Sequence, residues 1–430
     1  MNVRIKINSW MLPIIVISIV ILQIVDPSRS WKMLLVFFGG TWLTGWYWAL
    51  SLSKGLHFSR EMRFGWTQVG DELEERFIFN NQSHLPATWV EIRDFSTMPD
   101  YNPSMATFIR ENSTSEFFTH GVCSRRGLFQ LGGCQMKSGD PFGLFQVLID
   151  YPLSQSLLVL PPVVSIPEIN ISPGGYFGDG KPNIRSLEKS VSASSVREYL
   201  PGDSMGLIHW AKTASYGKPY IRNLDGTPTA DWWIVLDLDI SAQTGSGWDS
   251  TEEHGIILAA SLVDRCYKNK KPIGMAINGE TGFWQPPERI SVNRLRIFQA
   301  LALAKTGNGT LKQFILGSKK SFGSLAALVI ITANVNPNWL DALAELRWQG
   351  RVIPTVMLFD PVSFGGIKQP GGLKSILDGM GIDCHIISRD LLNTPEAHPG
   401  DAGRWKWRTS ATGKAIPIIK PVESQWKSLN

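Results

Sequence analysis

The stretch WWIVLDLDISAQTGSGWDSTEEHGIILAASLVDRCYKN, residues 232–269, decides how the carboxy-terminal half of the chain is read. WWIVLDLDI is a nearly continuous apolar run of the length of one strand buried on both faces. Behind it, Ser250 and Glu253 have the spacing of a capping box, and Ile256, Ile257, Ala260 and Val263 recur with helical period. A buried strand followed by an amphipathic helix is the repeating unit of a parallel sheet. The unit recurs downstream. KPIGMAING is followed by SVNRLRIFQALALAK, and LAALVIITAN by PNWLDALAELRWQG, a helix opened by Asn336 and Pro337 and ended by Gly350. RVIPTVMLFD, GGLKSILDGMG and IDCHIISRD complete the series. The pattern predicts an α/β doubly wound domain over residues 230–400, with residues 401–430 as a tail.

Ligands of such sheets bind beyond the carboxyl ends of the strands. Asp237, Asp239 and Ser241 stand there at alternating positions that point the same way. Three oxygen-bearing side chains suit a hard cation such as Mg2+ or another divalent ion. The competing reading is that Asp237 and Asp239 cap backbone amides at the strand end.

Towards the amino terminus the period changes. From about His57 to Val164, ERFIFNN, ATWVEIRDF, TSEFFTHGVCS, GLFQLGGCQMKSG and SQSLLVLPP are short runs broken by Gly, Pro, Asn and Asp, the pattern of a small antiparallel sandwich over residues 55–165. Within it Asp140, Pro141, Phe142 and Gly143 form a turn followed by aromatic anchors and read as a structural corner. His84 and His120 are isolated and read as loop or surface residues.

Residues 1–54 are different again. Ser9–Val25 and Trp31–Leu52 are two apolar runs joined by DPSRS, and they predict a transmembrane hairpin. Arg4 and Lys6 precede the pair and Lys54, Arg60 and Arg63 follow it, against Arg29 and Lys32 in and beside the connector. That bias predicts a multi-pass protein of the cytoplasmic membrane with both termini and the soluble domains in the cytoplasm.

Net charge is only +5 and the basic residues lack aromatic interleaving, so nucleic acid is not an expected partner. The four cysteines stand singly, as buried thiols do, and a Cys123–Cys134 bridge is expected only in an oxidising compartment. In residues 166–229, SPGGYFGDGKPNIR approaches a phosphate-binding loop, but Pro182 follows its lysine where Ser or Thr is required. The same segment holds GDSMG, a formal nucleophile-elbow pattern around Ser204, yet the flanks do not supply the strand and helix such an elbow needs.

Arg197, Glu198, Tyr199, Pro201, Gly202 and Asp203, followed by Ile208 and Trp210, form a denser signature. With the Asp140 corner, the two apolar helices and the D-x-D-x-S of Asp237, this arrangement resembles the bacterial domain of unknown function 58 family over essentially the whole chain. The resemblance implies a von Willebrand factor A-like carboxy-terminal domain, no established nucleophile at Ser204, and a MoxR-type AAA ATPase as companion. The chain departs from the family at Gly206 and Ser215, where many members carry Arg, and at Asp239 and Asn334, which alter the metal site of an A-type domain. The signature itself reads as structural, with Trp210 burying its ring, or else as a binding surface. The expected function is a membrane-anchored, non-enzymatic adaptor or scaffold for a protein partner. The alternatives are a cell-envelope component binding through its β domain and a serine hydrolase using Ser204.

Overall fold

The computed structural model describes residues 2–63, 65–164, 166, 193–199, 208–224, 232–269, 271–288, 292–319, 321–322, 326–348, 352–392, 406–409, 415–419 and 427–428. The chain divides into two compact units, Met1–Pro162 with His398–Asn430, and Val163–Ala397.

The first unit begins with strand β1 (Asn2–Ile7), helices α1 (Met11–Val25) and α2 (Arg29–Gly55), and strands β2 (Leu56–Met62) and β3 (Trp66–Gln68). It continues with β4 (Glu72–Asn81), β5 (Ala87–Asp94), β6 (Met105–Ile109), β7 (Ser113–Val122), β8 (Gly127–Gly139) and β9 (Phe145–Leu160). One sheet runs β1-β9-β8-β5-β6, with β3 also beside β9; the other runs β2-β4-β7, with Lys427–Ser428 on the free side of β2. Alternation in sequence becomes alternation in burial: along β4, Leu73, Glu75, Phe77, Phe79 and Asn81 face inward. Phe58, Phe77 and Phe79 meet Val90, Ile92, Met136, Val147 and Ile149 of the opposite sheet in one core. The pairing of Lys427–Ser428 with β2 ties the end of the predicted tail to this unit.

Helix α2 is long and apolar enough to cross a membrane, whereas α1 is apolar but shorter. The two helices pack against one another, and Ser28 caps α2 by accepting from the Trp31 amide. The last turns of α2 do not stand apart from the sandwich. Ala49 and Leu52 are fully buried in its core, and the Trp48 indole donates to the Pro86 carbonyl at 3.0 Å. The boundary expected after residue 54 therefore falls inside packed hydrophobic structure. Strand β1 was not anticipated at all: Arg4 and Lys6, read as flanking charges, alternate with Val3, Ile5 and Ile7 in a strand antiparallel to β9.

A buried ionic cluster crosses this core. The Arg60 guanidinium, 2% exposed, makes a bidentate pair with Glu75 at 2.8 and 2.5 Å and reaches Asp94 at 2.6 Å. The Tyr101 hydroxyl also donates to Glu75. Burial alone lowers the Arg60 pKa, but the Glu75 hydrogen bonds and the Glu75 and Asp94 charges outweigh it and hold the group above its ordinary value. Cys123 and Cys134 lie in different parts of the core, and all four cysteines are buried and free.

In the second unit, strand β10 (Ala193–Glu198) pairs antiparallel with β11 (Tyr220–Leu224), and helix α3 (Trp210–Tyr216) lies between them in sequence. The main sheet contains β12 (Trp232–Asp237), β13 (Ile273–Asn278), β14 (Phe283–Glu288), β15 (Ala326–Thr332), β16 (Val352–Phe359) and β17 (Asp383–Ile387), in the order β14-β13-β12-β15-β16-β17. Five strands are parallel; β14 is an antiparallel edge, which tolerates Pro286 and Pro287. Helices α4 (Thr251–Lys268), α5 (Val292–Leu303), α6 (Leu311–Ser318), α7 (Leu340–Trp348) and α8 (Gly371–Gly379) connect or flank the strands. Ser250 caps α4 by accepting from the Glu253 amide, as the capping box requires. Asn336 makes no side-chain cap; the turn Pro337–Trp339 leads into α7 instead.

Candidate functional site

Parallel register builds the site. Asp237 closes β12, with Asn278 opposite it at the end of β13. On the other side Leu236 pairs with Ile331, which sets Thr332 at the end of β15 beside the same carboxylate. Asp237 is 2% exposed. Its Oδ1 accepts from Asn278 Nδ2 at 2.9 Å and from the Asp239 amide at 3.2 Å. Its Oδ2 accepts from Thr332 Oγ1 at 2.7 Å. Asn278 also donates to the Gly309 carbonyl at 2.7 Å, and Thr332 accepts from the Asn334 amide at 2.9 Å. A Cβ on Gly309 would lie 2.7 Å from Asn278 Oδ1, so the loop comes close because glycine allows it.

Asp239 and Ser241 form the next layer. Asp239 Oδ1 accepts from the Ser241 amide at 3.0 Å and from its hydroxyl at 2.8 Å. The Gln243 amide donates to the Asp237 carbonyl and accepts from Thr251 Oγ1, tying the loop to the start of α4. One turn further on, His254 is buried with neither ring nitrogen hydrogen-bonded, its ring edge-on to Phe364 at 4.9 Å. Burial holds its pKa below the ordinary histidine value, which keeps it neutral.

Burial pushes Asp237 up to about 6; the hydrogen bonds from Thr332, Asn278 and the Asp239 amide pull the other way, and the nearby Asp239 charge adds to the rise. The donor set is that of a carboxylate held by neutral dipoles. A divalent cation needs convergent oxygen lone pairs, whereas three N–H or O–H donors occupy Asp237 and Asp239 Oδ1 accepts from Ser241. Among the described residues no three His, Cys, Asp or Glu side chains form a metal-binding group. As arranged, Asp237, Asp239 and Ser241 fit the capping alternative better than the cation.

The signature residues are only partly described. Pro201, Gly202, Asp203 and Ser204 lie outside the described residues, as do Gly175, Gly180 and Lys181 of the glycine-rich connector. Arg197 and Glu198 end β10, opposite Ile221 and Tyr220. The Tyr220 hydroxyl donates to Glu198 at 3.4 Å, and the Tyr199 amide donates to the Pro219 carbonyl. His209 caps α3, accepting from the Lys212 amide at 3.2 Å, and Gly217, with φ +69°, ends it. The Lys212 ammonium sits over the rings of Tyr216 and Tyr220 at 5.9 and 5.8 Å. Ile208 is half-buried. Trp210 is 69% exposed, which corrects the expectation of a buried ring. The physical reason is that α3 has seven residues and buries none of them, so it has no inward face to receive an indole.

The Asp140 corner belongs to the first unit. Asp140 is buried and accepts from the Phe142 amide at 2.9 Å and the Phe145 amide at 2.5 Å. The Gly143 amide closes the turn on the Asp140 carbonyl, with φ +71° at Gly143.

Residues 195–363 match the family model described as protein of unknown function DUF58. The chain carries a DUF58 region. That region contains the signature, α3 and the Asp237 site. Two uncharacterized mycobacterial proteins, one from Mycobacterium bovis and one from Mycobacterium tuberculosis, are each 22% identical over 219 residues, covering 48% of this chain and 68% of theirs. Among solved structures, a von Willebrand factor type A protein from Catenulispora acidiphila aligns with 38% of this chain and 40% of its own at 11% identity and a TM-score of 0.26. A CARDB domain from Pyrococcus furiosus aligns with 25% of this chain and 90% of its own at 8% identity and a TM-score of 0.19. Similarities this slight carry no argument beyond the DUF58 match. Asn278 and Thr332, which hold Asp237, were not singled out in the sequence; both end apolar strands beside the strand that carries Asp237, and that shared position is the signal.

Proposed function

We propose that the chain is a membrane-anchored adaptor or scaffold without catalytic activity, whose DUF58 region engages a protein partner. The observation that carries this reading is Trp210, a signature residue that is 69% exposed on a helix with no buried face. Trp is enriched among residues that dominate protein interfaces, and an exposed signature indole with no packing role belongs on a recognition surface. The parallel sheet supports the reading of this unit as von Willebrand factor A-like and doubly wound. The partner class implied by the family resemblance is a MoxR-type AAA ATPase.

Anchoring rests on α1 and α2, which together cross the bilayer as a hairpin in this reading. Ile14, Ile17, Ile24, Val25, Val36 and Phe37 are all strongly exposed, an apolar surface that suits lipid. β1 before the pair and β2 after it both belong to the first unit, which returns both ends to one side, the cytoplasmic side by charge. A structural role for the β domain is the second reading, favoured by a cleft of about 660 Å³ lined by His57, Phe58, Ile78, Asn80, Tyr151 and Leu153.

Co-flotation tests the proposal. Full-length chain reconstituted in phosphatidylcholine vesicles is expected to float with them and to carry a purified MoxR-type AAA ATPase upward. An ATPase left at the bottom of the gradient while the chain floats contradicts the partner assignment, and a chain that does not float contradicts the anchor.

A further inference from the structure

We infer that the Asp140–Gly143 corner is a membrane-interface anchor, whose Phe142 ring enters the lipid headgroup region at the base of α1 and α2. The inference rests on the membrane reading above and assigns a lipid contact to a residue about a hundred positions from either helix.

The corner sits where both helices leave the sandwich. The Asn8 side chain donates to the Gly143 carbonyl at 3.0 Å and the Asn8 amide to the Leu144 carbonyl at 2.8 Å, two residues before Trp10. On the other side it touches α2: a Cβ on Gly45 would lie 3.3 Å from Asp140 Oδ2 and 3.4 Å from both Leu144 and Phe145. Exposed apolar and aromatic side chains gather at this level. Phe142 is 54% exposed, Trp10 66%, Met11 71%, Trp46 47% and Tyr47 58%. The turn carrying Phe142 is fixed by the buried Asp140 carboxylate, which accepts from the Phe142 amide and from the Phe145 amide beyond the turn. A rigid turn that presents an aromatic ring beside exposed tryptophan and tyrosine matches the aromatic belt of membrane interfaces.

Helix length points to the same contact. The 15 residues of α1 span about 22 Å at about 1.5 Å per residue. The part of α2 from Arg29 to Gly45 spans about 26 Å on the same rise. Both fall short of a hydrocarbon core of about 30 Å. A hairpin of that reach crosses only if its base is drawn into the interface and the bilayer thins to meet it. The corner is part of that base.

Spin labels report depth directly, and the four native cysteines are buried, so introduced thiols label selectively. We would label Phe142→Cys, Leu128→Cys and Ile17→Cys in full-length chain reconstituted in phosphatidylcholine vesicles. Leu128 is a matched control: it is 53% exposed but pairs with Leu158, far along β9 from the Phe145 end. The ratio of oxygen accessibility to aqueous nickel-chelate accessibility is expected to be at least about fivefold higher at positions 142 and 17 than at 128. A label at Pro141→Cys, also exposed, gives a second reading should Phe142→Cys fold poorly. A lipid-like reading at 17 with readings at 142 and 141 equal to 128 overturns the corner assignment alone. A water-like reading at 17 overturns the membrane reading and this inference with it.

Discussion

The two units bury acidic side chains by opposite means. In the sandwich, Glu75 and Asp94 are matched by a full positive charge on Arg60, with Tyr101 as an added donor. In the parallel sheet, Asp237 has no cation beside it among the described residues and is held by an amide side chain, a hydroxyl and a backbone N–H. Opposite charge makes the sandwich cluster depend on one partner, Arg60. Neutral dipoles leave the carboxylate poised near the middle of the pH scale, and each contributes a small share. The sandwich cluster should therefore be brittle to substitution, and the Asp237 cluster sensitive to pH.

The largest effect is expected from Glu75→Ala, which removes the bidentate one of the two carboxylates paired with the buried Arg60 guanidinium and leaves it to Asp94; loss of one partner of a buried pair costs up to about 3–5 kcal/mol. Denaturant unfolding of the solubilised protein, followed by a probe in the first unit, should show it. A loss below about 1 kcal/mol would mean that water or rearrangement satisfies Arg60. Replacing both Arg60 and Glu75 with apolar residues should recover much of the difference, since the pair as a whole is worth far less than its breaking.

The sign at Asp237 is the reverse of the usual carboxylate. Its folded pKa, about 6, lies above the ordinary 3.8, so the stability it contributes is present below pH 3.8 and lost as the pH rises through about 6. Asp237→Asn removes that slope, and relative to wild type the variant should gain roughly 2–3 kcal/mol between about pH 4 and about pH 8. Parallel pH profiles for the two proteins contradict the assignment. Thr332→Val removes one donor and should cost about 1.5–3 kcal/mol at about pH 8, and less at about pH 4, where the protonated carboxyl needs it less. The smallest effect is a null one: added magnesium should leave the thermal midpoint of wild type and of Asp237→Asn unchanged. A magnesium-dependent rise in wild type alone would restore the cation site.

Where one periodicity ruled, the sequence could be read. WWIVLD, IGMAIN and AALVIIT are strands of the main sheet with almost every residue buried, and the Ser250 cap follows from a local rule that tertiary packing leaves alone. Features that depend on distant partners were not legible. Arg60 was counted as a flanking charge, because only the fold brings Glu75 and Asp94 to it. Ala49 and Leu52 look like lipid-facing residues in a local reading, but the sandwich receives them. FWQPPE forms an edge strand that the series of buried apolar runs did not include, and such an edge accommodates its prolines. At the candidate site the acids were visible and their neutral partners were not, since Asn278 and Thr332 matter only through the register that sets them beside Asp237. Trp210 was visible as a signature residue, but its exposure follows from the shortness of α3.

Recognition of a protein partner through the DUF58 surface can be measured as binding of a MoxR-type AAA ATPase to the full-length chain in nanodiscs, wild type against Trp210→Ala. An exposed ring contributes little to folding, so the thermal midpoint should not move, while truncating an interface Trp should weaken binding by at least about tenfold. Equal affinity of the two proteins at equal stability would contradict the account.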